Sequence, residues 1–140
     1  MGNINIGRVV LGGLLAGLVS NIGEVILNDV VFGAFMKEFL ARHNFAEPGT
    51  NFMVIAVGLT FVMGIVLVLG YACIRTRLGP GPKTAIIAGL FGWFGAYFYS
   101  GIINHVIFGT STGTIATIVA LGLVLYILAA LAGAWVYKEA

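Results

Sequence analysis

Four stretches of this chain, Val9 to Phe32, Phe52 to Ile74, Thr84 to Phe108 and Thr114 to Val136, are predominantly apolar, and each is long enough to cross a bilayer, which takes about 20 such residues. Between them they occupy most of the 140 residues. A chain built this way is 60% hydrophobic and 9% charged, against roughly 45–50% and about 25% in a soluble domain. Seven basic and five acidic side chains are too few to cover a globule with charge, so the apolar surface must face lipid. A cytosolic enzyme, a nucleic-acid binder and a disordered tail are excluded. The sequence predicts an all-α membrane protein, one transmembrane domain over residues 1–140. Arg8 precedes an apolar run too long for the core of a signal peptide, so the first stretch is expected to remain as a span.

Charges in the connections set a direction. Arg8, Arg75, Arg77, Lys83 and Lys138 fall on one side, and Lys37 and Arg42 on the other, together with Asp29, Glu38 and Glu47. The positive-inside rule then puts both termini in the cytoplasm. Between the second and third spans, Arg75-Thr-Arg-Leu-Gly-Pro-Gly-Pro-Lys83 cannot continue a helix, because its prolines lack donors and its glycines favour turns. In the first connection, Val31/Phe32, Phe35/Met36 and Phe39/Leu40 recur at helical spacing with Lys37, Glu38 and Arg42 between them. That pattern predicts a short amphipathic helix lying in the interface. It ends at Glu47-Pro48-Gly49, with Thr50 placed to cap the second span.

The chain also resembles itself. Ile26-Leu-Asn28-Asp29-Val-Val-Phe-Gly33 aligns with Ile102-Ile-Asn104-His105-Val-Ile-Phe-Gly109 at an offset of 76, and Gly70 and Arg75 align with Gly133 and Lys138 at an offset of 63. The shortfall of 13 residues matches an interfacial helix present in the first half and missing from the second. Two copies of one helical hairpin are expected, about 6–78 and about 83–140, related by an axis normal to the membrane. Asn28 and Asn104 then lie at equivalent depths.

Gly79-Pro-Gly-Pro-Lys-Thr-Ala-Ile-Ile-Ala-Gly89 and Ala132-Gly-Ala-Trp-Val-Tyr-Lys-Glu139 resemble segments of small four-span bacterial integral membrane proteins. The resemblance extends along most of the chain and implies the bacterial cytoplasmic (inner) membrane. It implies no activity and assigns no residue a role.

Within the spans, Gly13, Gly17, Asn21, Glu24 and Asn28 follow at intervals of four, four, three and four, one stripe on one helix face. The glycines admit a neighbouring backbone, and the amides and carboxyl seek interhelical hydrogen bonds. Glu24 is the single acidic or basic residue well inside a span, where an unpaired charge costs several kcal/mol. It either glues helices together, bonded to Asn21, Asn28 or a tyrosine such as Tyr97, or marks a proton or cation path. Its counterpart in the second repeat is Ser100, which provides no second carboxylate for a relay.

The third span carries Phe91, Trp93, Phe94, Tyr97, Phe98, Tyr99 and Phe108. Trp93 and Tyr97 lie near mid-membrane, where the indole N–H and phenol O–H need partners. Helices or Glu24 would satisfy them, and so would a quinone, a pigment or a cationic amphiphile. His105 is a candidate axial ligand for a haem or pigment. His43, His105, Asp29, Glu38 and Glu47 share a side but lack metal-ligand spacing. No metal or resident cofactor is predicted. Cys73 reads as an inert small residue, and nucleophile, zinc and phosphate-loop motifs are missing. The leading expectation is therefore a non-enzymatic accessory or structural subunit that packs against other integral membrane subunits, its own copies and lipid. Its Gly/Ala faces such as Ala129, Ala130, Gly133 and Ala134 are read as contact surfaces. The alternatives are a small proton- or cation-coupled transporter using Glu24, and a binder of a lipophilic quinone or pigment. Candidate ligand-facing residues are Glu24, Trp93, Tyr97 and His105.

Overall fold

A computed structural model describes residues 3–139. All regular structure among the described residues is helical: α1 (Ile6–Val25), α2 (Gly33–Arg42), α3 (Thr50–Leu78), α4 (Pro82–Trp93), α5 (Ser100–Phe108) and α6 (Thr112–Val136). A π-helical turn at Ile26–Val31 continues α1, and another at Phe94–Tyr99 joins α4 to α5. Four membrane-length apolar helices result, Ile6–Val31, Thr50–Leu78, Pro82–Phe108 and Thr112–Val136, numbered below as spans one to four.

Local chemistry places their ends. Asn5 caps α1, its Oδ1 accepting the Arg8 N–H at 3.1 Å, and Ser111 caps α6 in the same way through the Thr114 N–H at 3.2 Å. Gly79 and Gly81 take φ values of 82° and 133°, which favour glycine, and Pro82 opens α4 at its first turn. Thr50 differs from its expected role. Gly49 is the capping residue of α3 and gives no side-chain bond, because Pro48-Gly49 runs extended and leaves Thr50 as the first helical residue.

The spans form a four-cornered bundle. α1 packs on α3 and α6, α6 packs on α4, and α4 closes the ring against α3. Both termini and the 79–81 loop share one end, called here the termini end; α2 and the 109–111 turn share the other.

The half of the bundle nearest the termini is tightly closed. Here Gly12 faces Gly133 across α1 and α6, and a Cβ on Gly12 would lie 2.6 Å from the Gly133 carbonyl oxygen. Across α1 and α3, a Cβ on Gly64 would lie 2.5 Å from the Gly17 nitrogen. Backbones this close leave room for hydrogen alone, which is what small-residue packing between membrane helices exploits. Ala16, Val68, Ala72, Ala129 and Ala130 fill the remaining space and are buried. Ala129, Ala130 and Gly133 are thus used inside the bundle, not offered to an outside subunit. Gly13 and its aligned counterpart Gly89 both sit in hairpin interfaces, the first against Ile65 and the second against Tyr126 and Ile127.

Polar aromatic contacts finish this end. The Arg75 guanidinium lies 5.8 Å from the Tyr71 ring and 5.2 Å from the Tyr137 ring, and its Nε reaches Glu139 Oε1 at 3.2 Å. The Asn5 and Gly81 N–H groups donate to the hydroxyls of Tyr137 and Tyr71. Loop, N-terminus and C-terminus are tied together through two tyrosines and one arginine.

Candidate functional site

The half nearest α2 is built from larger residues and stays open. A cavity of about 400 Å³ lies between spans one, three and four, and Glu24, Asn28, Tyr97, Ser100, Asn104 and Tyr126 face it. Span one runs from Ile6 to Val31, so Glu24 sits about 8 Å past its midpoint toward α2, at 1.5 Å per residue. The Tyr97 hydroxyl donates to Glu24 Oε1 at 2.6 Å. The Asn28 amide Nδ2 donates to Glu24 Oε2 at 3.0 Å and to the Glu24 carbonyl at 2.8 Å. Each carboxylate oxygen therefore holds one neutral donor. Both donors are of the kind that stabilises charge on an acceptor without cancelling it. No lysine or arginine lines the cavity among the described residues.

The π turns shape this region. Glu24 comes just before the first and Tyr97 lies within the second. Such turns widen a helix by one residue and recur at functional sites. Gly122 provides the seat for Tyr97: a Cβ there would clash with Cγ, Cδ1 and Cε1 of the tyrosine ring. The Tyr97 and Tyr126 rings meet edge to face at 5.7 Å.

α2 forms the roof. Its Phe35, Met36 and Phe39 face the cavity, while Lys37, Glu38 and Arg42 point away and are exposed, the last two forming an ion pair. Phe39 and His43 each meet the Phe108 ring edge-on at 5.3 Å, which fastens α2 to the end of span three. The amphipathic pattern is satisfied by the open end of the bundle itself.

A second cavity, of about 370 Å³, lies on the flank between spans one and two, with Val25, Phe52, Met53, Ala56 and Val57 in its walls. Glu24, Asn28 and Met36 line both cavities. Asn21 faces the flank cavity, and its amide donates to the carbonyls of Gly17 at 2.9 Å and Val57 at 3.5 Å.

Of the residues singled out in the sequence, Glu24, Asn28, Asn104 and Tyr97 converge on one cavity. Gly13 and Gly17 serve helix packing. Trp93 and His105 are turned elsewhere. The indole Nε1 donates to the Val119 carbonyl at 2.8 Å, and His105 Nδ1 pairs with the Thr110 carbonyl in the 109–111 turn. Tyr126 also belongs to the site, and a lone tyrosine in an aliphatic span is the sequence signal that marks it. Asp29, Glu38, Glu47 and the histidines do not assemble, and the described residues hold no cluster of three metal-ligating side chains. The chain matches no protein-family model, no curated protein and no solved structure.

Proposed function

We propose that this protein binds a monovalent cation at Glu24 and works as a small, non-enzymatic, proton- or cation-coupled transporter. One observation carries the reading: Glu24, the one carboxylate well inside a span among the described residues, faces a ligand-sized cavity, held by two neutral donors with no lysine or arginine in the lining. A carboxylate used purely as glue needs no such space, and a half-buried negative charge within a span and without a countercharge favours a cation or a proton. The aromatic walls suit an organic cation better than a metal ion, which would want several oxygen ligands. The closed termini half bounds the cavity on one side, as in one access state of a carrier. The basic bias of the loops supports cytoplasmic termini and a cavity opening outward, and the resemblance stated from sequence supports a bacterial inner membrane. The paired asparagines support descent from a duplicated hairpin.

The test is proton release on adding tetramethylammonium chloride to purified, lightly buffered protein. Release that disappears in Glu24→Gln supports the reading; identical behaviour of the two proteins sinks it.

A second reading, an accessory subunit in a larger assembly, is favoured by one face of span three. Phe91 (70%), Phe94 (53%) and Tyr99 (61%) are exposed there, and a Cβ on Gly95 would meet nothing. Co-purification of a defined membrane partner in mild detergent, lost in Gly95→Trp, would establish it.

A further inference from the structure

Glu24 stands where two cavities meet, and they differ in character. The bundle cavity presents amides and hydroxyls beside the carboxylate. The flank cavity is mostly apolar, and its walls Val25, Phe52, Met53 and Val57 are between 43% and 58% exposed, so it opens sideways at a depth where the surroundings are lipid chains. The polar groups of its inner wall are already used: Asn21 is bonded to two carbonyls, and the Thr60 hydroxyl donates to the Ala56 carbonyl at 2.9 Å. Asp29 also lines this cavity and is exposed, so a chain lying there covers the apolar walls and leaves that carboxylate facing outward to water. Where the cavities join stands Met36, an unbranched thioether that yields readily to different shapes.

We propose that the two cavities form one divided site for a single-chain alkylammonium. The head lies in the bundle cavity against Glu24 and the faces of Tyr97 and Tyr126. The chain lies in the flank cavity, and the ligand reaches the carboxylate from the leaflet at the α2 end, between spans one and two. This assignment rests on the proposed role of Glu24 and adds the ligand's shape and route. Charge complementarity selects the head, drawn to Glu24, the carboxylate that lines both cavities. The apolar flank selects the tail. A hydrophilic cation would use half of the site.

Octyltrimethylammonium and tetramethylammonium share a head and differ in the chain. Titration calorimetry of the full-length protein in lipid nanodiscs, with empty nanodiscs subtracted, should show the octyl compound binding at least about tenfold tighter, a difference of ~1.4 kcal/mol. Ala56→Leu and Val57→Phe narrow the flank cavity without lining the bundle cavity. Both should abolish the preference while leaving tetramethylammonium binding intact, which also reports that each variant is folded. Equal binding of the two cations, a preference that survives both variants, or loss of tetramethylammonium binding in both would overturn the divided site. So would octanol competing as well as octyltrimethylammonium, which would make the head's charge irrelevant. Tetramethylammonium binding indifferent to Glu24→Gln would instead remove the underlying function. Glu24-dependent binding without a chain preference would leave that function standing and refute the divided site alone.

Discussion

Gly64→Ala tests the closeness of spans one and two, on which the closed half depends. The added methyl would sit 2.5 Å from the Gly17 nitrogen and 2.8 Å from its Cα, against 3.5–4.0 Å for carbon atoms in contact. The intruding atoms belong to helix backbone, so no side chain can swing aside. The helices must part by about 1 Å, and a gap of that size forfeits a quarter to a half of each dispersion contact along the seam. Overpacking of this kind costs about 1–3 kcal/mol. The matched control is Gly58→Ala on the same helix, where the new Cβ meets nothing and helix propensity favours alanine by up to about 1 kcal/mol. Both variants gain that propensity, so they should differ by the overpacking cost alone, about 1–3 kcal/mol. Reversible unfolding in mixed micelles of increasing denaturing-detergent content measures that difference directly. If Gly64→Ala falls within about 0.5 kcal/mol of Gly58→Ala, the backbones do not touch there and the tight half has been misjudged.

Tyr97→Phe keeps the ring and removes the donor to Glu24 Oε1; with hydrogen bonds between membrane helices worth about 0.6–1.7 kcal/mol, tetramethylammonium affinity should fall about threefold to twentyfold by calorimetry. Gly122→Ala drives a methyl into the Tyr97 ring and should weaken binding at least as much, whereas Gly113→Ala, where a Cβ meets nothing, should not; equal effects would contradict the seat. Trp93→Phe breaks the bond to the Val119 carbonyl and should lower stability by about 0.6–1.7 kcal/mol with cation affinity unchanged. With Cys73 replaced by serine, Ser111→Cys should react with a membrane-impermeant maleimide on intact cells and Pro80→Cys should not; the opposite pattern would invert the orientation.

Much of the architecture can be read from hydropathy because lipid enforces it: the spans begin and end within four residues of where apolarity and turn chemistry place them. The stripe through Glu24 and Asn28 is equally legible, since period and polarity alone define it. Two things are not. Trp93 and Tyr97 both reach span four, the first at Val119 and the second at Gly122 and Tyr126, yet Tyr97 alone of the two also bonds across to span one. Tyr97 lies within the π turn at Phe94–Tyr99, which adds a residue to that turn and shifts the register after Trp93, and neither residue type nor spacing announces it. The roof is the other case. Pattern alone shows that α2 has an apolar face, but that Phe39 of this short helix and His43 just after it meet Phe108 of span three is long-range packing that the pattern does not carry.

The site follows from an uneven distribution of side-chain size along the spans. Glycine and alanine at positions 12, 13, 16, 17, 64, 72, 129, 130 and 133 draw the backbones together toward the termini, while toward α2 the spans diverge around the cavity, where tyrosine, phenylalanine and isoleucine stand in its walls. The cavity is that divergence. Large side chains bound it but do not fill it, since the π turns on spans one and three move their residues around the helix. Because backbone spacing set elsewhere creates the space, replacing one residue of its wall alters the chemistry and leaves the architecture in place. Glu24→Gln is for that reason a clean substitution: it keeps the volume, keeps an acceptor for Tyr97 and removes the charge. A change in cation binding that follows it reports on the carboxylate and not on the bundle.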